Sequence, residues 1–125
     1  MKTILIIEDN LEIRENTSEI LELEGYEVIT AMNGKLGFEL AKERMPDLIL
    51  CDIMMPEMNG YEVFEHLKMN EKTSAIPFIF ITASAEKSEV RLGLNMGAAG
   101  YIRKPFEENE LLETVKNGLN NIISM

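Results

Sequence analysis

The 125-residue chain predicts an α/β domain built on an open, doubly wound, five-stranded parallel sheet. Three observations carry this. Five short apolar runs recur along the chain, and four of them are continuous, which suits strands covered on both faces. Stretches with helical apolar spacing stand between the runs, each giving one stripe. Turn-forming residues mark the boundaries, so the repeat is βα five times.

The runs are Thr3 to Ile7, Tyr26 to Thr30, Asp47 to Cys51, Pro77 to Ile81 and the weaker Gly100 to Arg103. The stripes are Ile13, Thr17, Ile20 and Leu21; Leu36, Leu40 and Ala41; Val63, Phe64 and Leu67; Val90 and Leu94; and Leu111, Leu112, Val115 and Leu119. Gly25 suits the position just past the first helix, and Asn33-Gly34 precedes the second. Pro46 and Pro77 stand where helices have ended. Residues 1–125 make one domain by length, with one core and no linker, repeat or low-complexity segment.

With 46% hydrophobic and 27% charged residues, the composition is that of a soluble globular protein. Twelve Lys and Arg against 22 Asp and Glu leave a charge of -10, which repels nucleic acid and anionic lipid. Neither is an expected partner. No apolar run approaches the ~18 residues of a membrane span, and the start lacks a signal peptide's apolar core and cleavage site. The expected location is the cytoplasm. Cys51 reads as a small buried hydrophobe, and the lone His66 as a solvated surface residue.

Doubly wound sheets bind ligands outside the carboxyl ends of their strands. Glu8 and Asp9 follow the first strand, Asp52 the third, Thr82 the fourth, and Lys104-Pro105 the fifth. If the strand order is 2-1-3-4-5, strands one and three are neighbours at the switch point, and Glu8, Asp9 and Asp52 converge. Like charges that close need protons or a cation, and Mg²⁺ suits them: it takes one or two carboxylates, keeps waters and leaves room for a phosphoryl group. Ca²⁺ fits less well, for want of an EF-hand spacing. Lys104 adds a positive charge and Thr82 a hydroxyl. Such an inventory describes phosphoryl transfer, in which a carboxylate can be the nucleophile and form an aspartyl-phosphate. Asp52, alone on its strand, is the candidate. Taken singly, each residue has an ordinary reading as a helix cap or turn residue. At four separate strand ends together, that reading is poor.

The stretches "ILIIEDN", "PDLILCDIMMPEMNGYE", "PFIFITA" and "GAAGYIRKPF" resemble, over essentially the whole chain, the receiver domain of two-component response regulators, whose fold is flavodoxin-like. The resemblance implies that Asp52 accepts a phosphoryl group from a phosphohistidine of a sensor histidine kinase or histidine phosphotransfer protein. It implies Mg²⁺ held by Glu8, Asp9, Asp52 and the backbone carbonyl of Met54, and Lys104 paired with Asp52. Thr82 and Tyr101 resemble the family's switch pair, and Lys104-Pro105 its cis peptide. The implied output surface comprises the fourth helix, fifth strand and fifth helix, where an output partner or second copy docks. Such a domain catalyses its own phosphorylation and dephosphorylation without turning over small substrates. Pro56 and Gly60 suit a tight loop into the third helix. Met54, Met55 and Met58 read as gap filling.

Some positions depart from the common family pattern. Ala98, Ala99 and Gly100 stand where an acidic residue is frequent, and Glu107-Glu108 replaces the usual Asp or Ser at the last helix start. Met54 and Ser84 occupy positions that tune phosphoryl lifetime in the family. Three rival readings are weaker. A flavin-type cofactor binder needs a Ser-, Thr- or Gly-rich phosphate loop where "EDNLEI" stands. A haloacid-dehalogenase-type phosphatase needs an Asp two residues past its nucleophile, where Met54 stands. A degenerate receiver would lack part of the set Glu8, Asp9, Asp52, Thr82 and Lys104, which is complete.

Overall fold

A computed structural model describes residues 1–83 and 95–120. Its elements are β1 (Thr3–Ile7), α1 (Leu11–Leu23), β2 (Glu27–Ala31), α2 (Gly34–Arg44), β3 (Leu48–Asp52), α3 (Gly60–Met69), β4 (Phe78–Thr82), β5 (Gly100–Arg103) and α4 (Glu108–Asn120). The expected helix around Val90 and Leu94, and Ser84, lie outside the described residues. All strand pairings are parallel, in the order β2-β1-β3-β4-β5. Among the described residues, no helix is long and apolar enough to cross a membrane.

Alternation along the strands divides the core into two layers. Leu5, Ile7, Ile49, Cys51, Phe78 and Phe80 pack with Val63, Phe64 and Leu67 of α3 and Ala41 of α2. Ile4, Ile6, Leu48, Leu50, Ile79, Ile81 and Ile102 pack with Leu21 of α1 and with Leu111 and Val115 of α4. Both faces of the central strands are thus covered, which is why β3 and β4 are buried at every residue. β2 lies at an edge and is partly exposed. Cys51 is fully buried in this core, and His66 is exposed against the Phe38 ring.

Three strands start one residue later than the apolar runs suggest. The Tyr26 N–H turns back to the Leu21 carbonyl to close α1, with Gly25 left-handed at φ 98. Asp47 spends its carboxylate on the Thr3 N–H, 2.7 Å away. Pro77 has no N–H to give, though its carbonyl accepts from Ile49. The same offset makes Asp52 and Thr82 the last residues of their strands instead of the first beyond them.

Side chains fix the helix starts. Asn10, Asn33 and Asn59 accept from the backbone N–H groups of Ile13, Leu36 and Glu62, and Glu62 reaches back to Asn59 in a capping box. Gly60 follows the last of these caps, and a Cβ there would stand 2.6 Å from the Asp52 carbonyl oxygen and 2.8 Å from Ile53 Cα. Only a bare Cα allows α3 to press against the end of β3. Gly60→Ala is expected to cost about 1–3 kcal/mol, the range for overpacking, read as a lower urea midpoint with unchanged m-value. Stability equal to wild type would show that the loop gives way freely.

Candidate functional site

Strand register builds the site. Ile7 pairs with Cys51, so one step further along β1 sets Glu8 level with Asp52. Asp52 pairs with Ile81 on its other side, and Thr82 pairs with Arg103, which precedes Lys104. Four strand ends thereby share one rim. Carboxylate oxygens of Glu8, Asp9 and Asp52 all lie within 4.8 Å of one another. Glu8 and Asp52 are buried, at 1% and 3% exposure, while Asp9 is exposed.

Lys104 reaches into the cluster from the other side. Its Nζ lies 2.7 Å from Glu8 Oε1 and 3.2 Å from Asp52 Oδ1. The Lys104–Pro105 peptide is cis. Among the described residues, one ammonium faces the three carboxylates. Burial, with the Asp52 charge adding to it, pushes the Glu8 carboxyl up to about 7 despite the Lys104 contact. Burial also raises Asp52 above its ordinary value, against the pull of Lys104. For Lys104, burial favours the neutral amine, but Glu8 and Asp52 outweigh it and the net shift is upward.

The ordinary task of an acidic residue after a strand, capping the next helix, falls to Asn10. Glu8 is instead tied at each backbone and carboxylate group. Its N–H donates to Ala31 of β2, and its carbonyl accepts from Arg14 Nη1 at 2.9 Å. Its Oε2 accepts from the Asn10 N–H, leaving Oε1 to the lysine. The sequence gives no sign of this role for Arg14, because the atom it binds is a backbone oxygen. A donor set of three close carboxylates, two of them buried, fits a hard divalent cation with oxygen preference.

The remaining expected residues lie around this centre. Thr82 is buried at the end of β4 and its carbonyl accepts from the Lys104 N–H at 2.7 Å. Tyr101 is half-buried on β5, its ring 6.2 Å from that of Phe80. Met54 lies in the loop after β3 and is 71% exposed. Pro56 and Gly60 belong to the same loop and the start of α3. A cleft of about 430 Å³ adjoins Lys104, lined by Ile13, Asn16, Ala83, Lys104, Pro105 and Phe106.

A family model described as the response regulator receiver domain matches residues 4–116. The chain belongs to this family. It is 43% identical over 115 residues to the phosphate regulon transcriptional regulatory protein PhoB of Pseudomonas aeruginosa, which covers 92% of this chain and 50% of that protein. The polar-differentiation response regulator DivK of Brucella anthropi is 38% identical over 120 residues, covering 96% of this chain and 98% of the relative. A solved CheY-like response regulator receiver domain protein from Methanospirillum hungatei JF-1 superposes with a TM-score of 0.90 at 34% identity, over 99% of this chain and 98% of that one. The chain spans about half the length of the first curated relatives it matches. It is a receiver domain of two-component signalling, a phosphoacceptor switch.

The Glu8 shift has a stability consequence. Its folded-state value of about 7 exceeds the ordinary 4.5, so the folded protein binds more protons than the unfolded chain in between, and stability falls as pH rises through that window. In EDTA, the unfolding free energy of wild type should drop between about pH 5 and about pH 8, and Glu8→Gln should flatten the drop. A divalent cation held by the cluster would restore stability at the upper pH more than at the lower, because protons compete with it. A slope unchanged by Glu8→Gln would refute the assignment.

Proposed function

We propose that Asp52 is the phosphoacceptor, receiving its phosphoryl group in an Mg²⁺-dependent reaction from a phosphohistidine of a sensor histidine kinase or histidine phosphotransfer protein. The observation that carries the reading is the Lys104 ammonium held between Asp52 Oδ1 and Glu8 Oε1 at one rim with Asp9. Asp52 faces Lys104, Glu8 and Asp9, all supplied from other strands, and has little polar company on its own.

The chain's residues divide the work. An Asp52 oxygen attacks phosphorus in line while the nitrogen–phosphorus bond of the donor breaks and the leaving imidazole takes a proton. Glu8, Asp9, Asp52 and the Met54 carbonyl are the residues that would hold Mg²⁺, which when bound offsets charge on the phosphoryl oxygens. Lys104 exchanges its contact with the Asp52 carboxylate for one with a phosphoryl oxygen. The cleft beside Lys104 and Phe106 gives the donor protein a place to approach. A water later hydrolyses the acyl phosphate, so the domain catalyses its own dephosphorylation; multiple turnover of small substrates is not expected of it.

The readout rests on Thr82 and Tyr101. The Thr82 hydroxyl moves to the phosphoryl group, and the Tyr101 ring turns into the vacated space. This biases the surface around β5 and α4, together with the segment before β5, toward an output partner or a second copy of the chain. Residues 1–125 act as one receiver domain in the cytoplasm, without direct contact to nucleic acid or membrane.

Incubation with acetyl phosphate and Mg²⁺, followed by intact mass measurement, tests the reading. Wild type should gain a single phosphoryl group, and EDTA or Asp52→Asn should abolish it. Lys104→Met should lower the labelling rate by about 10²-fold, the typical loss on removing one charge-stabilising donor. No adduct on wild type, where a known receiver labels, would sink the proposal.

A further inference from the structure

We propose that Arg14 is a positioning residue for the metal-binding turn, acting through the backbone of Glu8. The inference rests on the reading of Glu8, Asp9 and Asp52 as the Mg²⁺ ligands. Arg14 stands on the first turns of α1, partly buried, and its Nη1 donates to the Glu8 carbonyl oxygen at 2.9 Å. Among the described residues its guanidinium has no carboxylate within ion-pair distance, so the backbone oxygen is the partner for its charge. A charge-assisted bond of this kind is about twice as strong as a neutral one.

The bonded atom explains why it matters. The Glu8 carbonyl belongs to the peptide unit that joins Glu8 to Asp9, so its orientation sets the direction in which both carboxylates leave the turn. The Glu8 N–H is already held by Ala31, and the Asn10 N–H returns to Glu8 Oε2. Among the described residues, the peptide between those two anchors has no side-chain hydrogen bond besides that from Arg14. The guanidinium locks that plane from the α1 side, as outer partners orient metal ligands elsewhere.

Two opposite effects make the proposal testable. Removing a nearby positive charge would by itself strengthen cation binding, whereas loosening the turn weakens it. The test compares wild type, Arg14→Met, Arg14→Lys and the exposed neighbour Glu15→Gln as full chains. Mg²⁺ dissociation constants come from isothermal titration calorimetry, and exchange of the Asp9 and Asn10 amides from NMR on metal-free protein. Arg14→Met should weaken Mg²⁺ binding by about tenfold, within the usual range for outer-shell partners, and speed exchange at both amides. Arg14→Lys keeps the charge but not the rigid fork, so its affinity should fall between the two. Glu15→Gln should lie within about twofold of wild type, the scale of a surface substitution. If Arg14→Met does not fold, Arg14→Lys decides by the same two readouts. Binding as tight as wild type or tighter in the Arg14 variants, or a lowered melting temperature with unchanged affinity, overturns the positioning role. Absence of Mg²⁺ binding by wild type overturns the metal reading itself and this role with it, and that outcome is seen before any variant is measured.

Discussion

Everything at the rim depends on one electrostatic constraint: Glu8 and Asp52 are buried side by side with a single ammonium between them. An apolar core makes this arrangement expensive, since each buried carboxylate loses its hydration. The fold tolerates it because strand register leaves no choice. β1 and β3 must pair through Ile4, Leu5, Ile6 and Ile7 to bury their side chains, and that pairing carries Glu8 to the level of Asp52. Slipping the register by one residue would turn every core side chain to the opposite face. The cost of the acidic pair is therefore borne by the apolar sheet beneath it.

Much of the fold was legible because the strongest signals are long-range demands on composition. A strand such as Leu48 to Cys51 can be continuously apolar only if both faces are covered, and that requirement implies helices on each side. Boundaries were less legible, since they turn on individual hydrogen bonds. Nothing in the apolar pattern shows that the Tyr26 N–H closes α1 or that Asp47 turns its carboxylate to Thr3. These bonds move a strand start by one residue, and with it the status of Asp52 from a loop residue to the last residue of a strand.

The candidate site divides in the same way. Its acidic members and Lys104 were legible because chemistry restricts which residues can gather at strand ends, and topology says which ends are neighbours. Arg14 was not, since an arginine four residues into a helix looks like any solvated residue. Gly60 was legible as a loop glycine, but its approach to the Asp52 carbonyl arises only from how α3 packs on the end of β3. Side chains that act on backbone atoms leave no partner in the sequence to recognise.

Side-chain parity suggests how the proposed switch crosses the sheet. Ile6, Leu50 and Ile102 belong to the layer that packs on α1 and α4, and Glu8, Asp52 and Lys104 continue that parity. Phe78, Phe80 and Tyr101 belong to the opposite layer, and Thr82 continues theirs. The charged centre and the Thr82–Tyr101 pair thus start from different faces, and the strand ends at the rim are where the two come closest in register. A phosphoryl group on Asp52, as proposed, would add negative charge beside Glu8 and Asp9, so it would gain from any donor drawn toward it. Drawing Thr82 there takes a side chain out of the α3-side layer, whose packing must then adjust, and Tyr101 is the nearby ring on β5 already against that layer. On the proposed reading, an electrostatic event on one face would thus become a packing event on the other.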